Sequence, residues 1–162
     1  MKIELIPLLT LPREMQLITR DWRNSAHVAE YFKIKYIDKD THEGWLHSQE
    51  AESPRCIAYV ICCDSQYVGL TYFHSIDRKK GVADWGIYIH NPSARGKGVG
   101  KYALTKCMEI ARHQLGLHTI YLDVLKSNMS AVRLYEGAGF VYLADEEDGF
   151  ARYSLDLRHI GN

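Results

Sequence analysis

Neither sign of charge is in excess in this chain: 20 Lys and Arg stand against 20 Asp and Glu over 162 residues. A balanced chain has no global positive field to collect nucleic acid or an anionic membrane, so any anion site must be local. Cysteine is sparse, at four (Cys56, Cys62, Cys63, Cys107), with no C-x-x-C and no metal-ligand spacing. Adjacent Cys62 and Cys63 on a β-rich stretch are poor partners for each other, which points to reduced thiols, no metal site and a cytoplasmic protein. No apolar run approaches about 18 residues, and no charged segment leading into an apolar one opens the chain, so neither a membrane span nor a leader is expected. Linkers, repeats and low-complexity stretches are missing as well. A chain of this length favours one compact domain over residues 1–162.

What is present is an alternation of elements. Lys2–Leu8 reads as a short strand, and Pro12, tolerated in a first helical turn, opens an amphipathic helix to about Trp22. A second helix is expected over Ala26–Lys35 and a third, capped by Thr41, before Pro54. The period then changes. Cys56–Cys63, Tyr67–Ile76 and Val82–Ile89, separated by "DSQ" and "DRKKG", read as three strands of an antiparallel meander. Ala103, Leu104, Cys107, Met108 and Ala111 recur at helical spacing and mark a helix over Val99–Gln114. Thr119–Leu125 is a strand, Ser130–Ala138 a helix ended by Gly139, and Phe140–Ala144 with Phe150–Leu157 a closing hairpin.

Between a strand and a helix lies "HNPSARGKGVGKYAL", with three glycines among cationic side chains. Glycine permits positive φ and close backbone approach, and a helix N-terminus offers unpaired N–H groups with a partial positive charge, so the turn can cradle a phosphate. It is neither a P-loop nor a dinucleotide fingerprint, because "GKGVGK" fits neither G-x-x-x-x-G-K-[ST] nor G-x-G-x-x-G.

Read together, Arg95, Gly98 and Gly100 in that turn and "LDVLKSNMSAVRLYEGAGF" downstream resemble the two signature blocks of the GCN5-related N-acetyltransferase (GNAT) superfamily. The resemblance runs over roughly Val82–Tyr142. It implies an α/β (α+β) fold with a mixed, mostly antiparallel sheet of about seven strands and helices on both faces. It also implies acetyl-coenzyme A as co-substrate, with the strand Trp85–His90 splaying from Thr119–Leu125 so that its exposed backbone pairs with the pantetheine arm. Tyr88, Ile89 and His90 would line that arm, and the amides of Gly96, Lys97, Gly98, Val99, Gly100 and Lys101 would hold the pyrophosphate, with charge added by Arg95 and Lys97. A backbone N–H near Ile89 or His90 would face the thioester oxygen. Asn128 would bond the cofactor and cap the short helix. Tyr135 matches the tyrosine whose hydroxyl lies near the sulfur, protonated at neutral pH and able to donate to the departing thiolate.

Asp123 matches a strand carboxylate that serves as base in some relatives; pairing with Lys126 or Arg133 is its structural alternative, and His74 and His90 border the same cleft. The front of the chain, "RDWRNSAHVAEYF" then "DTHEGWL", resembles two branches of the family. One acetylates ribosomal-protein N-termini; the other acetylates the 4-amino group of a nucleotide-linked amino sugar in the pseudaminic-acid pathway. The spacing from Arg23-Asn24 through Thr41-His42 to "GIY" and "NP" fits the sugar branch, with Trp22, Tyr31, Tyr36 and Trp45 available as an aromatic wall. The expected acceptor is thus a small-molecule amine, best matched by a UDP-linked 4-amino-4,6-dideoxy sugar; a peptide N-terminus and a non-catalytic acetyl-coenzyme A sensor are the alternatives. The family resemblance is compatible with a homodimer, and no segment identifies an interface.

Overall fold

The computed structural model describes residues 1–159; the end of the expected domain, 160–162, lies outside the described residues. Strands β1 (Ile3–Pro7), β2 (Ile57–Cys63), β3 (Gln66–Asp77), β4 (Val82–Ile89), β5 (Thr119–Leu125), β6 (Val141–Asp145) and β7 (Phe150–Asp156) form a seven-stranded sheet ordered β1-β2-β3-β4-β5-β7-β6. All neighbours are antiparallel except β4 and β5. The helices are α1 (Arg13–Asn24), α2 (Ala26–Ala29), α3 (Lys39–Ser48), α4 (Val99–His113) and α5 (Met129–Gly137).

Strand alternation assigns the helices to faces. Trp85 on β4 enters a core with Leu104, Cys107, Met108 and Ala111 of α4. Tyr88, on the opposite face of the same strand, packs with Leu8, Val28 and Leu46, beneath the N-terminal helices. Helices on both faces are therefore as expected, and β1 extends the expected meander to four strands.

The feature that positions the site is a fork. β4 and β5 pair only from Val82↔Thr119 to Asp84↔Tyr121. Beyond that point β4 stays on β3 as far as Gly69↔Ile89, while β5 stays on β7 as far as Leu125↔Phe150. One backbone edge of each strand is left facing a gap.

Two helix expectations change. The segment after Ala29 leaves the helix because polar groups of α1 capture its backbone: Asn24 Nδ2 donates to Ile37 O at 2.9 Å and its Oδ1 accepts from Ile37 N–H at 2.8 Å, while Arg23 Nη2 donates to Ile34 O at 2.7 Å. Side chain to backbone bonds of this kind outcompete a marginal helix. Helix α3 is capped by Asp38, whose carboxylate accepts from Thr41 N–H at 2.7 Å, rather than by Thr41, and it ends at Ser48, before Pro54.

Candidate active site

At the open end of the fork the chain passes from β4 to α4 through the glycine turn. Gly96 and Gly98 have φ of +74° and +79°, and a Cβ at either would meet nothing within 4 Å, so the turn presents bare backbone to open space. Gly98 is the N-cap of α4, and the helical ladder begins with Tyr102 N–H donating to Gly98 O at 3.1 Å. The amides of the first turn have no intrahelical acceptor. A cleft of about 390 Å³ runs from this turn into the fork, lined by Tyr88, Ile89, Arg95, Gly96, Gly98, Val99, Gly100, Lys101, Asn128 and Tyr135 among others. Arg95 also tethers the turn, donating to Ile89 O at 3.1 Å.

The phase of the β3–β4 ladder decides which amides of β4 face the gap. His90 N–H donates to Val68 O at 2.9 Å. Antiparallel pairing alternates, so residues 86 and 88 also turn toward β3, and the N–H groups of Ile87 and Ile89 are left for the fork.

A second cavity, about 320 Å³, adjoins the first, walled by Arg23, Lys33, Tyr72, His74, Asp84 and Asp123. The two spaces share Tyr31, Phe32, Ile87, Asn128 and Tyr135. Tyr135 is the junction. Its ring packs edge-on against Trp85 at 6.1 Å and tilts on Phe140 at 5.9 Å, and among the described residues its hydroxyl has no hydrogen-bond partner. Burial pushes its pKa well above the ordinary phenol value. A hydroxyl that is protonated at neutral pH and stands between two connected cavities can deliver a proton to a group leaving from one of them.

A model of the acetyltransferase (GNAT) family matches residues 15–140. The chain belongs to that family. Among curated relatives of this acetyltransferase is acetyltransferase PseH of Campylobacter jejuni (strain 81-176), 28% identical over 136 residues, covering 84% of this chain and 82% of PseH. Spermidine N(1)-acetyltransferase of Escherichia coli K12 is also 28% identical, over 140 residues, covering 83% of this chain and 72% of that protein. Among solved structures, spermidine N-acetyltransferase of Vibrio cholerae, in complex with CoA and spermine, superposes with a TM-score of 0.81 at 23% identity, covering 96% of both chains. Campylobacter jejuni PseH in complex with acetyl coenzyme A gives 0.70 at 22% identity, covering 96% of this chain and 99% of that one.

Most residues expected at the acetyltransferase's cofactor site lie around one cleft; His90 and Lys97 are not on its wall. The His90 ring stacks on Trp22 at 4.0 Å, and its carbonyl accepts from His27 Nε2–H at 2.7 Å. Its amide belongs to the β3 ladder, so it cannot be the oxyanion donor; Ile89 keeps that option and Ile87 joins it. Burial, with the neighbouring His27, pulls the His90 pKa down to about 4. Lys97 is exposed in the turn. Asn128 caps α5, its Oδ1 accepting from Ala131 N–H at 3.5 Å, and its amide nitrogen is left for the cleft.

Asp123 differs most from its expected role. Its Oδ1 accepts from Arg152 at 3.0 Å and its Oδ2 from Lys33 at 3.2 Å, in place of Lys126 or Arg133. Burial alone would raise its pKa, but the hydrogen bonds from Arg152 and Lys33 outweigh that and hold the carboxyl low. A carboxylate stabilised in that way is a weak proton acceptor. Arg152 also grips Asp84 with two bonds, at 2.9 and 3.0 Å, and so clamps β4, β5 and β7 where the fork begins. His74 remains on the cavity wall, with Nδ1 against Ser75 Oγ at 3.1 Å; Ser75, at φ +52°, sits in the β3 irregularity that sets this corner.

Of the aromatic wall expected from the sequence, Trp45 lines a third space, about 220 Å³, which adjoins the second through Arg23 and Tyr72 and is walled also by Thr19, His42 and Tyr88, whereas Trp22, Tyr31 and Tyr36 do not line it. Thr19 Oγ donates to Gln16 O at 2.7 Å, so the 2.9 Å contact with His42 Nε2 must be donated by the imidazole, which leaves Nδ1 as an acceptor. Burial lowers the His42 pKa, which keeps that ring neutral at pH 7. Arg23 stacks over Phe32 at 4.0 Å and has a buried Nη1 with no partner. The Arg-Asn pair of the front motif was the available signal; what it could not reveal is that Arg23 faces two cavities.

Tyr72 separates those cavities because β4 carries glycine beneath it: a Cβ on Gly86 would lie 2.5 Å from the Tyr72 hydroxyl oxygen and 2.6 Å from Cζ. Gly86→Ala must therefore displace the ring. The acceptor KM should rise about tenfold while the acetyl-coenzyme A KM stays within about twofold, as initial rates at fixed saturating co-substrate would show. Equal effects on both would place Tyr72 outside the acceptor path.

Proposed function

We propose that this acetyltransferase moves an acetyl group from acetyl-coenzyme A, held in the β4–β5 fork, to the amino group of a UDP-linked 4-amino-4,6-dideoxy sugar. The observation that carries the reading is the place of Arg23 in the wall common to the second and third cavities, its guanidinium engaged, among the described residues, by one hydrogen bond, from Nη2 to Ile34 O. A guanidinium carries five N–H donors, so beside that bond it keeps capacity for the oxygens of an anionic ligand. Beyond it, Trp45, Tyr72 and Tyr88 wall a space in which His42 offers an acceptor, suited to a flat ring with hydrogen-bonding edges. A nucleotide seated there would leave the sugar in the second cavity, its amine toward Tyr135. Likeness to PseH favours the same reading.

In this scheme the amine attacks the thioester carbonyl, whose oxygen faces the N–H groups of Ile87 and Ile89, and Tyr135 protonates the departing thiolate. Asp123 orients rather than accepts the amine's proton; that proton passes to cavity water beside His74 and replaces the one Tyr135 gives to the thiolate. The polyamine reading, suggested by the spermidine acetyltransferases among the relatives, has in its favour the carboxylates of Asp84 and Asp123, but both already hold internal cations.

Thiol release should be measured with three acceptors: a UDP-4-amino-4,6-dideoxy sugar, spermidine and a ribosomal-protein N-terminal peptide. The sugar nucleotide should exceed both others by about 100-fold or more in kcat/KM, because the nucleotide supplies binding energy remote from the reacting amine. A peptide that wins would make the enzyme a protein N-terminal acetyltransferase.

A further inference from the structure

Lys33 projects into the acceptor cavity from the segment between α2 and α3, and its ammonium lies 3.2 Å from Asp123 Oδ2 and 2.8 Å from Glu146 Oε1. That is where the ammonium of a cationic acceptor would settle. We propose that Lys33 is a specificity-determining residue: a built-in occupant of the ammonium site that excludes polycationic amines from the acceptor cavity. The inference rests on the reading that this cavity receives the acceptor, but not on the acceptor's being a sugar.

Three carboxylates gather here, Asp84, Asp123 and Glu146, and within the fold Arg152 and Lys33 answer them. Arg152 is fixed. It bonds Asp84 twice and Asp123 once across three strands, with its guanidinium 4.8 Å from the Tyr121 ring. Lys33 is the movable member, a single flexible side chain that remains 40% exposed. Taking away its charge leaves Asp123 Oδ2, on the cavity wall, and Glu146 next to it without that counter-ion, an arrangement that attracts ammonium. With the charge in place, an incoming polycation must break two ion pairs and also meet a like charge, with Arg23 on the same wall.

The position of Lys33 does not depend on those ion pairs. Before it, Phe32 N–H donates to Ala29 O at 3.1 Å, and after it Arg23 holds Ile34 by one bond and Asn24 holds Ile37 by two, so the segment carrying Lys33 is anchored on both sides without its own amine. A substitution at Lys33 therefore changes the charge of the cavity and leaves the backbone around it in place.

The test uses spermidine as probe with saturating acetyl-coenzyme A. Lys33→Ala should raise kcat/KM for spermidine at least about tenfold over wild type, chiefly through KM, whereas Lys33→Arg should stay at the wild-type value. Adding Glu146→Gln to Lys33→Ala should cancel the gain, since the freed carboxylate is what receives the polyamine. Acetyl-coenzyme A should raise the melting temperature of Lys33→Ala as it does that of wild type, which verifies that the fold and the co-substrate site survive. A Lys33→Ala enzyme no better with spermidine than wild type would overturn the proposal, as would a Lys33→Arg enzyme equally permissive. If instead wild type fails to acetylate the UDP-amino sugar while the spermidine comparison behaves as stated, the sugar reading fails and the role of Lys33 stands.

Discussion

Tyr135→Phe should lower kcat by about 10² while leaving the acetyl-coenzyme A KM nearly unchanged. General-acid contributions run to about 10²–10⁴, and a thiol with a pKa near that of free cysteine, about 8.5, leaves tolerably without help, so the lower end applies. The substitution is clean. The ring keeps its contacts with Trp85 and Phe140, and the lost hydroxyl has no hydrogen-bond partner among the described residues, so stability should change little. Because burial pushes Tyr135 above its ordinary pKa, the wild-type kcat should show no alkaline decline from this residue up to about pH 10. A folded Tyr135→Phe enzyme with wild-type kcat would return the residue to the core and leave the Ile87 and Ile89 amides as the main catalytic contribution.

Gly98→Val should act on binding. The site has room for the side chain, since a Cβ there meets nothing, so the fold should persist. The backbone does not have the freedom. At φ +79° a β-branched residue costs about 1–3 kcal/mol. The turn must hold that strain or move, and a moved turn mis-aims the amides of Val99, Gly100 and Lys101. The isopropyl group also fills the open space through which a pyrophosphate would approach. The acetyl-coenzyme A KM should rise about 10–100-fold, with kcat at saturation much less affected. A second readout is thermal: at about 100 Kd the co-substrate should stabilise the wild type by roughly 2.7 kcal/mol through mass action, and at the same concentration the variant should show most of that stabilisation lost. Unchanged affinity in a folded variant would remove the glycine turn from the site.

These two residues were legible in the sequence for the same reason: each is a local constraint. A left-handed backbone at Gly96 and Gly98 needs glycine, and the turn carries its signature in a few consecutive letters. Tyr135 and Asn128 fall on one short helix with its cap, again within a few residues. Strand and helix periods placed most of the sheet for similar reasons. What escaped depends on distance along the chain. Arg152 reaches Asp84 across 68 positions, and Lys33 reaches Glu146 across 113. No spacing rule joins such partners, so Asp123 read as a candidate base or a partner of Lys126 or Arg133, and its pairing with Arg152 and Lys33 was not foreseen.

The segment after Ala29 shows a local signal overruled. Its apolar residues suggested helix, but Asn24 and Arg23 held its carbonyls and one amide more strongly than a short helix could. That departure also built the acceptor side, because it carries Tyr31, Phe32 and Lys33 over the fork. His90 illustrates a subtler gap. The strand and its end were read correctly to within a residue, but the phase of the hydrogen-bond ladder decides which amide faces the gap. That phase is set by the partner strand, through Val68, rather than by the sequence of β4 itself.

The most direct test of the account is a discontinuous assay of purified enzyme with acetyl-coenzyme A and a UDP-4-amino-4,6-dideoxy sugar, following free thiol and the mass of the nucleotide product together. The account predicts thiol release matched one for one by a singly N-acetylated sugar nucleotide, and loss of about 99% of that rate in Tyr135→Phe. Thiol release no faster than the enzyme-free blank, with the sugar nucleotide unchanged in mass, would contradict it.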